Sequence, residues 1–247
     1  MGKEDEVKIG NIDRARHEDL LPSKRARELE VMVVGCGAIG SWSAVLLAKM
    51  GVRKFVLIDF DRVEDVNVSV QAFGAMAIGE SKVEALKKTL MRDMELKDRE
   101  VVTIEERWME EMGKKCDVCV ASMDNLGGRQ EVWEGMKDKA GLFVDPRMGA
   151  QFLEVHAVGR EDEKGREEYG KVIYPKDESF TPEPCAARAV VYTAAIAGGA
   201  VANMVRQWVM GEKGRQRIFM YDIVQGSAWT IDTDKMEDME GRMVGCL

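Results

Sequence analysis

The sequence predicts a doubly wound α/β fold in a single domain, and three observations lead to this prediction. Short apolar runs rich in β-branched residues alternate along the chain with segments of helical periodicity. A glycine-rich turn follows the first of these runs directly and opens a helix. The length of 247 residues suits one large domain or two small ones. We therefore expect one Rossmann-like sheet, mostly parallel in the first half of the chain and mixed or antiparallel in the second.

The elements at the beginning of the chain follow in order. The first 29 residues are charged and are interrupted by Pro22, which predicts an arm and a short helix. Residues 31–34 form an apolar, β-branched run of the kind found in buried parallel strands. A helix over 41–50 ends at Gly51, and a second strand over 55–58 completes a right-handed βαβ unit.

The later elements are predicted by the same rules. A helix over 81–94 places its apolar residues at helical spacing on one face. The charged stretch 159–184, which contains three prolines near its end, is expected to be a surface excursion. The other expected elements are strands at 101–104, 118–121, 142–144 and 152–155, a long helix of small apolar residues at 185–210, and a closing strand that begins at 218–221.

Composition and charge argue against several classes of protein. Lysine and arginine number 36 and aspartate and glutamate 44, a net charge of −8 without a basic tail, so a nucleic-acid partner is not expected. Two histidines without an HExxH pair argue against a histidine-ligated metal hydrolase. The charged start lacks a secretory core, and the longest uncharged run, 189–205, is shorter than the roughly 20 residues that span a bilayer. We expect a cytoplasmic protein with no membrane segment.

The glycine turn is the first chemical signal in the sequence. Gly35, Gly37 and Gly40, with Ala38 between them, follow a strand and open a helix, where free N–H groups and the helix dipole favour a phosphate. Asp59 follows at the end of the second strand, where a carboxylate can accept hydrogen bonds from ribose hydroxyls. These residues predict nucleotide binding and leave NAD and ATP equally open.

The residues that follow favour a triphosphate over NAD. Lys82 starts a helix, where an ammonium group is electrostatically misplaced unless an anion lies there too. Asp124 follows a buried strand and should emerge at the carboxyl edge of the sheet, where a carboxylate beside phosphates indicates Mg²⁺. The pattern around these two residues contains further polar side chains that we expect to bind the nucleotide: Asp61, Asn67, Gln71 and Asn125.

At this point the sequence resembles the ThiF/MoeB/HesA adenylyltransferases, which are related to ubiquitin-activating enzymes. The likeness runs from about Arg16 to Tyr221 and is strongest in 33–71, in 79–86 and in the pair Asp124 and Asn125. It implies a homodimer that binds Mg²⁺ and ATP. It also implies adenylation of the C-terminal glycine carboxylate of a ubiquitin-like or sulfur-carrier protein ending in Gly-Gly, with release of pyrophosphate.

The resemblance also implies roles for residues and for parts of the chain. Residues 1–29 are then an arm and helix, 30–125 a nucleotide-binding half, and 126–247 a half for partner binding and dimerisation. Arg16 resembles the arginine that reaches the neighbouring subunit's ATP, with Arg14 as the competing assignment. The other implied roles are a phosphate turn at Gly35, Gly37, Ala38 and Gly40, ribose binding at Asp59, phosphate contacts at Asn67, Gln71 and Lys82, and metal binding at Asp124.

Two departures from the family pattern matter, and one cysteine needs separate treatment. Val70 stands where an arginine is common, so a phosphate contact is missing or comes from Arg62 or Arg129. The only CxxC pair, Cys116 and Cys119, lies in a predicted strand, where residues three apart point to opposite faces and chelate one ion poorly, so no zinc is expected. Cys185 opens the long predicted helix, where the dipole lowers a thiol pKa, and it resembles a thiol-transfer cysteine of some relatives. The alternative, which we favour, is an inert cysteine that serves as a small apolar residue at the helix start.

Alternative functions remain open on the sequence alone. Within the family, the acceptor could be a peptide carboxylate or a tRNA base. An NAD-dependent oxidoreductase would share the glycine turn but has no use for Lys82 and Asp124 together. A catalytically inactive partner subunit is the third reading, and Val70 is the best argument for it.

Overall fold

One eight-stranded sheet forms the centre of the computed structural model, which describes residues 8–9, 12–174, 189–212 and 216–232. A two-stranded hairpin, β1 (Lys8–Ile9) and β2 (Ile12–Asp13), precedes it. The strands of the large sheet, in chain order, are β3 (Glu30–Val34), β4 (Lys54–Ile58), β5 (Val101–Ile104), β6 (Cys116–Ala121), β7 (Ala140–Gly149), β8 (Phe152–Gly159), β9 (Gln216–Asp222) and β10 (Ser227–Asp232).

The order of the strands across the sheet is β10-β9-β8-β7-β6-β3-β4-β5. The five strands β3 to β7 pair in parallel, whereas β7, β8, β9 and β10 pair with one another in antiparallel register. The predicted fold class, with a parallel first half and an antiparallel second half, is confirmed. Because β3 lies between β4 and β6, the chain changes direction across the sheet beside the end of β3, which is where open α/β sheets bind ligands.

Helices cover both faces of the sheet. They are α1 (Ser23–Glu28), α2 (Ala38–Lys49), α3 (Asp65–Val68), α4 (Lys82–Met94), α5 (Leu126–Met136), α6 (Glu163–Ile173) and α7 (Val191–Met210). Three 3₁₀ turns lie at Ala75–Ala77, Asp98–Glu100 and Glu110–Met112. In the part of the chain with described coordinates, no helix is both long and apolar enough to cross a membrane.

Two apolar clusters, one on each face of the sheet, make up the core. The larger cluster packs α2, α4 and α7 against one face, and the smaller packs α5 and α6 against the other. Strand β3 contributes Val31 and Val33 to the first cluster and Met32 and Val34 to the second. This two-sided burial is the reason why the strand reads as a continuous apolar run rather than as an alternating pattern.

The small residues of α7 allow its backbone to approach α2 closely. A Cβ atom built on Gly198 would lie 3.0 Å from the Cβ of Trp42, closer than real side chains normally pack. Ala194, Ala197 and Val201 on the same helix are fully buried. The long run of small apolar residues is therefore a core helix, as the sequence indicated.

Two sequence-based expectations about the second half of the chain are wrong. The stretch 159–184 is not only a surface excursion, because α6 lies within it and buries Tyr169 and Ile173 against the sheet. The long helix begins at Val191 and not at residue 185, since Val190 has extended backbone angles. Helix α5 was not predicted; its apolar anchors are Val132, Trp133 and Met136.

Candidate functional site

The glycine turn between β3 and α2 requires glycine at its two ends. Gly35 has a φ of +87°, and a Cβ atom there would lie 2.6 Å from the carbonyl oxygen of Ser122. A Cβ atom on Gly40 would overlap the carbonyl oxygen of Gly35. Gly37 is different, because a Cβ atom there would meet nothing within 4 Å. The middle glycine therefore faces open space at the start of α2, where a ligand atom can approach the backbone.

Hydrogen bonds join the turn to the ends of two neighbouring strands. The Gly35 N–H donates to the carbonyl oxygen of Ile58 at 2.8 Å, at the end of β4. The Ser122 hydroxyl, just after β6, donates to the Gly35 carbonyl oxygen at 2.6 Å. Sequence reasoning did not select Ser122, although its place directly after a buried strand puts it at the ligand-binding edge. These bonds hold the turn rigidly across β4, β3 and β6.

Asp59 is buried at the end of β4 and supports the backbone of the site. One carboxylate oxygen accepts from the N–H of Cys36 at 2.6 Å and the other from the N–H of Asp61 at 2.8 Å. The side chain is 8% exposed, and this burial raises the pKa of Asp59, against the opposing effect of the backbone donors and Lys82. Each oxygen keeps a second lone pair, so ribose binding by Asp59 remains a prediction.

Lys82 is the first residue of α4, and its ammonium group is paired with an anion of the protein itself. The Nζ atom lies 2.6 Å from the Oδ2 atom of Asp61, and the Lys82 N–H donates to the Asp61 carbonyl oxygen at 2.9 Å. Lys82 is 9% exposed, whereas the Asp61 side chain is 46% exposed. An anion of the protein therefore lies beside this ammonium at the helix N-terminus, and phosphate binding by Lys82 stays a prediction.

The segment that contains Gln71 is fastened to the first turns of α2. The Trp42 indole N–H donates to the Val70 carbonyl oxygen at 2.9 Å, and the Ala72 N–H donates to the Ser41 hydroxyl at 3.0 Å. Gln71 lies between these anchors, and its buried side-chain oxygen accepts no hydrogen bond from any residue that the structure describes. A buried polar atom of this kind is expected where a ligand completes the site.

Asn67 and Asn125 both act as helix caps. The Asn67 Oδ1 atom accepts from the Glu64 N–H at 3.0 Å in the capping box of α3. Asn125 caps α5 by accepting from the Gly128 N–H at 2.8 Å, and its amide donates to the carboxylate of Asp124 at 2.8 Å. Asp124 is exposed three residues after β6, so it emerges at the carboxyl edge of the sheet as predicted.

The two arginines of the arm have different environments. Arg14 is 1% exposed and donates to the carbonyl oxygens of Ala48 and Lys49, both at 3.2 Å, at the end of α2. It therefore caps a helix C-terminus. Arg16 is exposed. Arg14 was the competing assignment for the arginine that reaches another subunit, and its burial excludes it from that role.

The structure also decides between the two cations that could replace the arginine missing at Val70. Arg129 is buried in an ion pair with Asp145 and donates to the carbonyl oxygens of Ala121, Met123 and Pro146. These contacts hold the guanidinium of Arg129 in the protein interior, so the prediction that Arg129 supplies the missing phosphate contact is wrong. Arg62 is exposed, with its guanidinium 2.8 Å from Glu105 and 3.0 Å from the carbonyl oxygen of Gly79, and it stays a candidate.

The cysteines of the described residues lie in or beside the core. Cys36 and Cys119 are fully buried, and Cys116 is partly buried against the same cluster as Cys119 rather than on the opposite face. Burial raises the pKa of Cys116 to about 12. Cys185 lies outside the described residues. Its proposed role therefore stays a prediction, and α7 itself begins at Val191.

The residues at this edge fit a nucleoside triphosphate. The fit rests on the open space at Gly37, the unpaired first N–H groups of α2, the unpartnered Gln71 oxygen and the Lys82 ammonium. Within residues 12–174, 189–212 and 216–232, no three His, Cys, Asp or Glu side chains converge as a metal site. Mg²⁺ bound with phosphates needs only one or two protein carboxylates, so Asp124 is compatible with such an ion, and metal binding at Asp124 stays a prediction.

Comparisons with known proteins agree with this geometry. The ThiF family profile matches residues 11–241. Ubiquitin-like modifier-activating enzyme 5 of Drosophila ananassae is 32% identical over 124 residues, which cover 44% of this chain and 31% of that protein. The same enzyme of Aedes aegypti is 43% identical over 67 residues, 27% of this chain and 17% of that protein. The matched segments thus span less than a third of either relative.

Solved structures share the fold. PaaA superposes with a TM-score of 0.69 at 19% sequence identity over 85% of this chain and 65% of its own. MccB of E. coli, in a crystal structure with AMPCPP and MccA, superposes with a TM-score of 0.65 at 15% identity over the same shares of the two chains. MccB is also known in complex with ATP. At these identities the likeness extends to the fold alone.

Proposed function

The chain belongs to the ThiF family, and from this premise we propose that it is an ATP-dependent adenylyltransferase that activates a C-terminal carboxylate. The acceptor we favour is a small ubiquitin-fold protein ending in Gly-Gly. The curated relatives that match the chain are ubiquitin-like modifier-activating enzymes, which supports this class of acceptor. A peptide carboxylate is the neighbouring possibility, and the same chemistry would serve both.

The observation that carries the proposal is the position of Lys82 beside the glycine turn. A nearly buried ammonium group at a helix N-terminus, paired only with a half-exposed carboxylate, is a site for a polyanion. Asp59, which Lys82 influences electrostatically, holds the N–H of Cys36 inside the turn. The cation and the phosphate-binding turn therefore belong to one site. A nicotinamide enzyme would need the turn but not the cation.

In the proposed reaction the protein acts by positioning and electrostatic stabilisation, and it forms no covalent bond to the substrate. An oxygen of the acceptor carboxylate bonds to the α-phosphorus, and the bond from that phosphorus to the bridging oxygen breaks, so that pyrophosphate leaves. The nucleophile is already ionised, so no general base is needed, which fits a chain with two histidines. Lys82, Arg16 and the N–H groups of α2 would offset the repulsion between the anions. Mg²⁺ bound at Asp124 would supply further neutralising charge.

Homodimerisation and a cytoplasmic location belong to the same proposal. Arg16 lies exposed on the arm, so it can act at the site of a second copy but has no contact that ties it to its own site in the described residues. A dimer would explain why an arginine at this position is useful. The proposed dimer is supported by the family relationship and by the exposure of Arg16, and the proposed cytoplasmic location by the family relationship alone.

Pyrophosphate exchange into ATP is the decisive test. Candidate small proteins ending in Gly-Gly should stimulate exchange, and removal of the terminal glycine should abolish it. Lys82→Ala should reduce exchange at least about 100-fold, because a charged contact to the reacting phosphates is lost. Lys87→Ala is the matched control, since Lys87 is on the same helix and makes a similar ion pair, 2.7 Å from Asp98. Stabilisation by NADH and not by ATP would overturn the proposal.

A further inference from the structure

We propose that the Asp61 carboxylate competes with the nucleotide phosphates for the ammonium group of Lys82. The ion pair between Asp61 and Lys82 must break before phosphates can bind to this ammonium. The inference rests on the proposed function, since it concerns the same ATP site. It assigns Asp61 a role opposite in sign to that of a binding residue. Its removal should strengthen the binding of ATP, whereas removal of a residue that holds ATP would weaken it.

The first step is that the ammonium has only one close carboxylate. The Lys82 Nζ atom lies 2.6 Å from Asp61, and no other ion pair of Lys82 occurs among the described residues. Asp59 also lies within electrostatic reach of Lys82, but its two oxygens already accept the N–H groups of Cys36 and Asp61. Asp61 therefore occupies the position that a phosphate oxygen would take.

The second step is that the Asp61 side chain can leave without disturbing the fold. Its backbone is held at both sides, because its N–H donates to Asp59 at 2.8 Å and its carbonyl oxygen accepts the Lys82 N–H at 2.9 Å. These bonds do not involve the Asp61 carboxylate. The side chain is 46% exposed, so rotation into solvent needs no repacking. The competitor is movable while the ammonium stays in place.

The third step is a count of charges. Asp59, Asp61 and Asp124 bring three carboxylates to this edge of the sheet, against the ammonium of Lys82 and the exposed guanidinium of Arg62, which is itself paired with Glu105. Free ATP, with about four negative charges, would have to displace Asp61 and also approach the other acids. Mg²⁺ cancels two of those charges, so the penalty from Asp61 is smaller for the metal complex. The pair therefore selects the metal-bound nucleotide over the free one.

The test compares nucleotide binding by the wild-type protein, Asp61→Asn and Asp98→Asn at one fixed salt concentration. ATP is titrated with Mg²⁺ and, separately, with EDTA. Asp98→Asn is the matched control, because Asp98 pairs with Lys87 of the same helix at 2.7 Å and is 81% exposed. We expect Asp61→Asn to tighten the binding of metal-free ATP about fivefold and that of Mg·ATP about twofold, from an ion pair worth about 1 kcal/mol. The control should bind like the wild type.

A double variant shows whether Asp61 acts through Lys82. In a Lys82→Ala background the gain from Asp61→Asn should become smaller, because no ammonium remains to be released. An equal gain in both backgrounds would mean simple repulsion, and the inference would be wrong. It would also be wrong if Asp61→Asn and Asp61→Ala bound ATP no better than a wild-type protein that does bind it. If the wild-type protein binds no ATP at all, the proposed function fails, and this inference fails with it.

Discussion

The guanidinium of Arg129 forms a buried ion pair with the carboxylate of Asp145 beneath the loop that carries Asp124. Asp145 is also bound by Arg147 at 2.6 Å and by the hydroxyl of Tyr169 at 2.8 Å. Arg129 in turn donates to the carbonyl oxygens of Ala121 and Met123, on either side of Ser122. A charged pair in the interior thus fixes the loop that presents the predicted metal ligand.

Replacement of Asp145 by asparagine should destabilise the protein strongly. The carboxylate is 0% exposed, and its loss leaves the buried Arg129 and the partly buried Arg147 without this counter-ion, which costs about 3–5 kcal/mol. Asp138→Asn is the matched control, because Asp138 pairs with Arg166 at 2.6 Å on the surface and should contribute less than about 1 kcal/mol. Urea unfolding followed by tryptophan fluorescence measures both. An equal decrease in the free energy of unfolding of the two variants would contradict the structural role of the buried Asp145 ion pair.

The same carboxylate predicts how stability depends on pH. Burial alone would raise the pKa of Asp145, but attraction to Arg129 and Arg147 outweighs it and holds the pKa well below its usual range. A carboxyl group whose pKa is lower in the folded state stabilises the fold fully above its unfolded pKa, near about 4. This stabilisation should disappear as the pH falls below that value. Asp145→Asn should lack this part of the acid transition; a wild-type acid transition in the variant would refute the argument.

The outer and middle glycines of the turn should respond differently to alanine. Gly40→Ala puts a methyl group onto the carbonyl oxygen of Gly35 and should cost about 3 kcal/mol or more, because backbone cannot move aside. Gly37→Ala meets no protein atom within 4 Å and should cost less than about 1 kcal/mol. Its methyl group would nevertheless lie where a phosphate is expected. We predict at least about tenfold weaker ATP binding by a protein of near-normal unfolding midpoint; normal ATP binding by Gly37→Ala would show that the ligand lies elsewhere.

Substitution of Arg14 should reduce the stability of the protein, whereas substitution of Arg16 should reduce its activity. Arg14→Met removes charged hydrogen bonds to the end of α2 and should cost about 1.5–3 kcal/mol. Arg16→Met removes an exposed side chain and should change stability by less than about 0.5 kcal/mol while it abolishes pyrophosphate exchange.

Mixing two inactive variants tests whether Arg16 acts on a second copy. In dimers formed at random from Arg16→Met and Lys82→Ala proteins, half would be mixed, and each mixed dimer would have one complete site. Exchange should therefore return to about a quarter of the wild-type rate. No recovery would mean that Arg16 does not act on a second copy, and an Arg16→Met protein that is active by itself would mean that Arg16 has no role in catalysis.

The buried thiols should be unreactive in the folded protein. Cys36 and Cys119 are fully buried, and burial raises the pKa of Cys116 to about 12, so little thiolate is present at pH 8. Treatment with iodoacetamide, followed by peptide mass spectrometry, should leave these three residues unmodified until urea is added. Rapid labelling of Cys116 in the native protein would show that the first residues of β6 separate readily from the sheet.

The sequence by itself determined the βαβ unit, the glycine turn and the position of Lys82 at a helix start. Each of these depends on neighbours in the chain: β-branched residues in a run, glycine where the backbone must pass another strand, and helical spacing after 81. Helix α6 escaped prediction because its two buried anchors, Tyr169 and Ile173, lie in an otherwise charged stretch. The buried side of this helix can be recognised only when the helix is packed against the sheet.

Only the tertiary structure decided which charged residues are structural and which face solvent. Arg14 and Arg16 are two residues apart, yet one caps α2 and the other is exposed. Arg129 pairs with a carboxylate 16 residues later, and Lys82 with one 21 residues earlier. Charge and hydrogen-bonding capacity are properties of a side chain, but its burial and its partner are set by distant segments that pack together. Local patterns therefore predict the elements, whereas packing assigns the ion pairs.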